Sequence, residues 1–290
     1  MSVYHQDGGT TLYHGDCLEI ARTLESGMAD CIVTSPPYFG LRDYGHDGQY
    51  GLEESPIAYV ETMRALCSEL LRVLADDGTL WLNLGDSYGK GKQLLGTPWR
   101  VALALKGDGW ILRNEIIWAK PNGVPESVRD RFAKKHEHLF LFAKNTSYHF
   151  DLDAVREPYS EASLSRYKSG YGGGKDRLDA AHLGGDRRKA KTIVPNAKGK
   201  NPGDVWGMPT STFKGAHFAV MPPALAERCI LAGSRPGGVV LDPFSGSGTT
   251  GEVARANGRK YVGIDISEAY LKLSLETRLQ NAAIGLEEAA

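Results

Sequence analysis

Asp242-Pro243-Phe244-Ser245-Gly246-Ser247-Gly248-Thr249-Thr250-Gly251 is the stretch that decides the fold. It follows an apolar run at 238–242 that reads as a buried strand, and it opens a helical segment over 251–257. Glycines at the spacing Gly246-x-Gly248-x-x-Gly251 permit a tight turn and close backbone approach to a ligand. A second strand is expected over 260–265. It ends on Asp265, where a carboxylate can accept bonds from ribose hydroxyls. Strand, glycine loop, helix, strand and acid together describe a cradle for a nucleoside-type cofactor.

Two features bear on which cofactor. A dinucleotide fold continues from this loop into a second mononucleotide half, yet only about forty residues follow it here. Asp242 and Pro243 directly precede the loop. An acid there receives an ammonium and repels a pyrophosphate. S-adenosylmethionine carries an amino acid and no phosphate, so it fits better. The alternative is a nicotinamide dinucleotide on 246–251 serving an oxidoreductase.

Outward from the loop, strand-like and helix-like segments alternate. Strands are expected over 11–14, 30–34, 79–84, 115–118 and 138–142, and helices over 18–24, 56–74, 99–106, 223–232 and 269–283. The alternation predicts an α/β fold with a doubly wound, mainly parallel sheet. Periodicity is lost over 161–200, which holds seven glycines, ten Lys/Arg and four Asp/Glu. A long irregular stretch with a local excess of positive charge can supply phosphate contacts, although the chain as a whole carries a net charge of -1. The expected organisation is a catalytic domain over 1–148 and 215–290, with a small irregular, basic insert over 149–214.

The chain has 290 residues, 41% of them apolar and 24% charged, which fits a globular protein and excludes a disordered or fibrous one. No run approaches the ~20 apolar residues of a membrane span. Residues 1–7 lack the basic and apolar parts of a signal peptide. Cys17, Cys31, Cys67 and Cys229 are scattered, with no C-x-x-C pair. That spacing argues against a zinc site, any metal centre or a disulfide framework, and for a reducing, cytoplasmic setting with no membrane partner.

A second motif lies near the N-terminus. Ser35-Pro36-Pro37-Tyr38 follows the expected strand at 30–34. Each proline fixes φ and lacks an N–H, so the turn is stiff and its carbonyls are not consumed by a helix. One such carbonyl and Ser35 Oγ can accept the two N–H bonds of a planar amine, and Tyr38 offers a flat face for stacking a base. An aromatic amine is a poor nucleophile because its lone pair is delocalised. Two acceptors draw it toward tetrahedral geometry and stabilise the positive charge that develops on nitrogen.

These motifs resemble those of the amino-group DNA methyltransferases, which modify adenine N6 or cytosine N4. Ser35-Pro36-Pro37-Tyr38 is similar to the family's [DNS]-P-P-[YFW] turn, and 242–250 to its D-P-F-x-G-S-G-T loop. Gly263-Ile264-Asp265-Ile266 resembles the ribose-binding strand, and Gly15-Asp16-Cys17 the segment that contacts the cofactor's adenine. Further similar pieces are 79–86, 114–121, 136–144 and 217–223. The order, with the catalytic turn ahead of the cofactor loop, resembles the circularly permuted beta-type arrangement. That order implies that the strand near Leu12 pairs beside the strand at 261–264.

The resemblance implies S-adenosyl-L-methionine as cofactor, held by Asp16, Cys17, Asp242, Pro243, Phe244, Gly246, Gly248, Thr249 and Asp265. It implies catalysis at Ser35, Pro36, Pro37 and Tyr38. It gives the basic insert a role in recognising double-stranded DNA, with Arg187, Arg188, Lys189 and Lys191 on phosphates. Serine at 35, where adenine enzymes often carry Asp, favours cytosine N4 over adenine N6. A prokaryotic or phage source is implied. A homodimer and a separately acting cognate restriction endonuclease are compatible with the resemblance, and the residues themselves show neither. A non-catalytic nucleic-acid-binding module that keeps the cofactor fold remains a further alternative.

Overall fold

A strand such as Ala29–Thr34 is buried at nearly every position, so it needs cover on both faces. The computed structural model, which describes residues 2–123, 125–168, 195–212 and 219–280, supplies it. β1 (Ser2–Gln6) and β2 (Thr10–His14) form a hairpin. α1 (Cys17–Ala21) leads into β3 (Ala29–Thr34), α2 (Pro56–Val73) into β4 (Leu74–Leu84), and α3 (Thr97–Gly107) into β5 (Ile111–Ala119) and β6 (His136–Ala143). After α4 (Glu161–Lys168) come β7 (Val205–Gly207), the short pair β8 (Ser211–Thr212) and β9 (Ala219–Val220), and α5 (Pro223–Gly233). β10 (Val239–Asp242), α6 (Thr249–Ala256), β11 (Lys260–Asp265) and α7 (Glu268–Ser274) follow, continued by a π-helical turn over Leu275–Leu279.

The strands form one nine-stranded sheet in the order β1-β2-β11-β10-β3-β4-β6-β5-β7, with β8 and β9 paired apart from it. Its centre, from β2 through β11, β10 and β3 to β4, is parallel. β1, β6 and β5 bring antiparallel pairings, and β7 returns parallel to β5. The sheet is therefore mixed around a parallel core. β2 lies beside β11 with Leu12 opposite Gly263, as the permuted order requires.

Period-two alternation divides the core into two layers. Ile32, Leu80, Leu82, Leu241, Val262 and Ile264 join the apolar cluster built by α1, α2 and α3. Their neighbours Cys31, Trp81, Val240 and Tyr261 are equally buried but lie outside that cluster, on the face covered by α5 and α6. α2 begins where Ser55 Oγ accepts the Ala58 N–H and Pro56 occupies the first turn. It places Tyr59, Met63, Leu66, Leu70 and Val73 in the core.

One of the chain's two compact units spans Leu152–Gly203, within the 149–214 read from composition. Residues 205–207 belong to the sheet, where Trp206 is buried at 6.4 Å from the Trp81 ring. Within Leu152–Gly203, 161–168 is helical although its sequence has little apolar periodicity, and Glu157 pairs with Lys200. Arg187, Arg188, Lys189 and Lys191 lie outside the described residues. The closing helix expected over 269–283 is described through 280, as α7 and its π-turn, and 281–283 lie outside the described residues.

Gly233 at the end of α5 shows how tightly that layer packs. A Cβ there would lie 2.5 Å from both Thr79 Oγ1 and Trp81 Nε1. Gly233→Ala is expected to destabilise the protein by roughly 1–3 kcal/mol, read as a lower denaturant midpoint with unchanged slope.

Candidate active site

The parallel strands end on one side of the sheet, and their ends line a cavity of about 400 Å³. β3 and β10 are neighbours, but the chain leaves them in opposite directions, toward β4 and toward β11. That divergence opens a crevice at the carboxyl ends of the strands, where α/β sheets bind ligands. Thr34 and Asp242, the last residues of the two strands, face each other across it. Thr34 Oγ1 donates to Asp242 Oδ1 at 2.7 Å, and both side chains are buried.

On the β10 side the glycine loop is fixed by its own backbone. Asp242 Oδ1 also accepts the Phe244 N–H at 3.0 Å, and the Ser245 N–H donates to the Ile264 carbonyl at 2.9 Å. Asp265 Oδ2 accepts the Gly246 N–H at 2.7 Å, and its Oδ1 accepts that of Ser267 at 2.8 Å. Asp242 Oδ1 has both lone pairs taken by Thr34 and the Phe244 N–H, whereas each Asp265 oxygen keeps a lone pair for a ligand. Burial pushes the Asp265 carboxyl up and raises that of Asp242 to about 6. Ser247 Oγ and Thr249 Oγ1 are buried without a hydrogen-bond partner, and both residues line the cavity. Orphaned hydroxyls beside two carboxylates fit a polar, zwitterionic ligand.

Asp16, Cys17, Asp242, Pro243, Phe244, Gly246, Thr249 and Asp265 all reach the cavity wall. Gly248 does not line it. Its N–H is spent on the Ser245 carbonyl, and it starts α6 with φ 80°. A Cβ there would sit 2.7 Å from Ser274 Cβ, so this glycine serves packing and helix initiation. Asp16 caps α1 by accepting the Glu19 N–H at 2.9 Å. Burial pushes the Cys17 thiol up to about 12, so it offers no thiolate nucleophile.

On the β3 side, Ser35, Pro36, Pro37 and Tyr38 also line the cavity. The Pro37 carbonyl accepts the Tyr59 hydroxyl at 3.0 Å. The Pro36 carbonyl takes no hydrogen bond among the described residues. Tyr38 enters a polar network that the sequence reading missed. Its hydroxyl donates to Glu137 Oε2 at 2.7 Å, and Asn83 Nδ2 donates to Tyr38 Oη at 2.6 Å and to Glu137 Oε2 at 2.7 Å. Lys120 Nζ closes the network on Glu137 Oε1 and sits 4.3 Å from the Trp118 ring centroid. Burial and the Glu137 charge hold the Tyr38 phenol well above its usual range, so it remains a neutral donor.

Proton accounting then fixes Ser35. The single Tyr38 proton goes to Glu137, so in the 2.9 Å contact between Ser35 Oγ and Tyr38 Oη the serine donates. Ser35 Oγ keeps an acceptor lone pair beyond its weak 3.3 Å contact from Asn83. Gly85 lets the Tyr38 ring approach, since a Cβ there would come within 2.6 Å of it. Asn83, Lys120, Lys134 and Glu137 thus join the wall from β4, β6 and the β5–β6 loop. Asn83 was the one available signal, a polar side chain within the apolar run 80–84 that ends β4. Among the described residues no group of three His, Cys, Asp or Glu could hold a metal ion, and no helix is long and apolar enough to cross a membrane.

The sequence profile of the DNA methylase family matches residues 29–276. The chain is 41% identical to the type II methyltransferase M.SmaI of Serratia marcescens, over 92% of this chain and 89% of that one. It is 42% identical to M.Cfr9I of Citrobacter freundii, over 94% and 88%. The fold is that of the PvuII cytosine-N4-specific DNA methyltransferase, with TM-score 0.69, 21% identity and coverage of 93% and 86%. A putative DNA modification methylase of Thermus thermophilus, solved with S-adenosyl-L-methionine, superposes with TM-score 0.61 at 22% identity, over 92% and 93%. The chain belongs to the N6/N4 DNA methylase family. Membership decides for methyl transfer over the oxidoreductase alternative.

Asp242 carries a pH signature. Its carboxyl stays protonated in the folded chain up to about 6, against a usual value of 3.8. The stability that the neutral form contributes is fully present below 3.8 and is lost as pH rises through about 6. The change is on the order of 3 kcal/mol, at about 1.4 kcal/mol per unit. Asp242→Asn is expected to flatten the dependence of the unfolding midpoint on pH in this window. Without ligand it should leave the variant more stable than the parent above it.

Proposed function

We propose that this DNA methylase transfers a methyl group from S-adenosyl-L-methionine to the N4 amine of a cytosine flipped out of a specific duplex sequence. The observation that carries the reading is the Thr34–Asp242 hydrogen bond, which sets the amine-binding turn against the cofactor loop. S-adenosyl-L-methionine, when bound, supplies an electrophilic sulfonium methyl. Asp242 receives its ammonium, Ser247 and Thr249 its carboxylate, and Asp265 its ribose hydroxyls. Asp16 and Cys17 face its adenine, with Pro243, Phe244 and Gly246 forming the wall of the cradle.

Ser35 Oγ accepts one N–H of the target amine, and the free Pro36 carbonyl accepts the other. Pro37 and Tyr38 hold the turn, with Tyr38 pinned through Glu137 and Asn83 beside the base. The two acceptors stabilise the charge that develops at nitrogen and aim its lone pair, so positioning supplies much of the rate. Serine at 35 supports cytosine, as does the cytosine-N4-specific enzyme that shares the fold. The basic segment within 149–214, with Arg187, Arg188, Lys189 and Lys191, is assigned to target recognition.

Labelled methyl transfer to mixed-sequence duplex DNA, followed by digestion to nucleosides, tests this directly. N4-methyldeoxycytidine is expected. N6-methyldeoxyadenosine would move the target to adenine with the same clamp, and unlabelled DNA would refute the activity. Ser35→Ala is expected to lower the single-turnover rate by about 10²–10³-fold while leaving cofactor affinity within about twofold by calorimetry. Loss of cofactor binding in a folded variant would remove Ser35 from the base pocket.

A further inference from the structure

Phe132 is 97% exposed, the most exposed large apolar side chain among the described residues. It sits in the β5–β6 loop, which is tied down on either side of it. Glu126 accepts Arg131 Nη1 at 2.6 Å and the Lys134 N–H at 3.3 Å. The Arg131 guanidinium lies 4.0 Å over the Tyr88 ring, and Arg131 Nη1 also donates to the Phe132 carbonyl at 3.0 Å. Lys92 pairs with Asp130 at 2.5 Å, joining this loop to the one after β4. The backbone is therefore built, and the ring is held out in water at the tip.

Both ends of the same loop are anchored in the active-site wall. Lys120 reaches Glu137, and Lys134 Nζ donates to the Asp86 carbonyl; both lysines line the cavity. Phe132 lies two residues before Lys134 and does not itself line the cavity; it stands on the same loop, outside the wall that Lys120 and Lys134 help to form. Around it Arg129 and Lys135 are exposed and have no carboxylate partner among the described residues. An apolar ring presented by a positively charged loop matches a phosphate backbone with stacked bases inside it.

We infer that Phe132 inserts into the stack of duplex DNA beside the target base and holds open the gap that the flipped base leaves. Arg129 and Lys135 rest on the flanking phosphates. The inference rests on the base-flipping reading above. Extruding a base costs a few kcal/mol of unstacking, least at a mismatch, and an inserted apolar side chain offsets part of it.

The test compares Phe132→Ala and Phe132→Leu with the parent enzyme, using single-turnover methylation of a fully paired duplex and of the same duplex mismatched at the target. Phe132→Ala is expected to slow the paired substrate about tenfold or more and to match the parent within about twofold on the mismatch, with Phe132→Leu near the parent on both. Equal rates on the paired duplex overturn the inference. So does an equal slowdown on both duplexes, which would mark general docking. A changed oligomeric state with unchanged methylation also overturns it, in favour of a protein contact. A parent enzyme that methylates neither duplex defeats the function reading itself, and the wedge with it. An active parent with an unaffected variant defeats the wedge alone.

Discussion

The hydrogen bond from Thr34 Oγ1 to Asp242 Oδ1 joins residues 208 positions apart in the chain. The rest of the site depends on it. Asp242 is buried at the end of its strand, and a buried carboxyl is tolerated only when its oxygens are partnered. Thr34 and the Phe244 N–H supply those partners from the two sides of the crevice. The same carboxyl thus fixes the start of the glycine loop and the base of the Ser35-Pro36-Pro37-Tyr38 turn. Strand order makes this possible. β3 and β10 sit side by side in parallel, while the chain runs from them to opposite edges of the sheet.

A second constraint sits one layer out. Glu137 accepts from Tyr38, Asn83 and Lys120, so a charged pair lies half-buried in the cavity wall with its bonds made. A network of this kind is costly if any member is left unpaired and rigid when all are satisfied. Here it spends the Tyr38 proton and so sets the direction of the Ser35 hydroxyl. A turn that prolines already stiffen is thereby fixed in side-chain orientation as well as in backbone, which is the preorganisation that attack by a weak nucleophile needs.

The glycine loop, Asp265 and the proline turn were legible because each is a local pattern tied to one backbone need. The pairing of β2 with β11 was legible from motif order once that order was matched to the permuted family arrangement it resembles. What escaped the sequence depends on tertiary contact. Val205–Gly207 is too short to show alternation, and only its pairing with β5 makes it a strand. Glu137 and Lys120 read as ordinary charged ends of β6 and β5, and nothing local announces that they meet under Tyr38. Gly248 satisfied the loop pattern, yet the pattern could not separate a glycine on the cavity wall, Gly246, from one that packs against Ser274. The helix 161–168 lacks the apolar stripe by which helices are recognised.

The central claim is that two distant motifs form one site in which an amine meets a methyl donor. A crystal structure with S-adenosylhomocysteine and a duplex carrying the methylated sequence tests it most directly. The account predicts a flipped cytosine with its N4 within ~3 Å of Ser35 Oγ, and the homocysteine ammonium on Asp242. A target base still stacked in the duplex, or a cofactor bound away from the 242–251 loop, would contradict it.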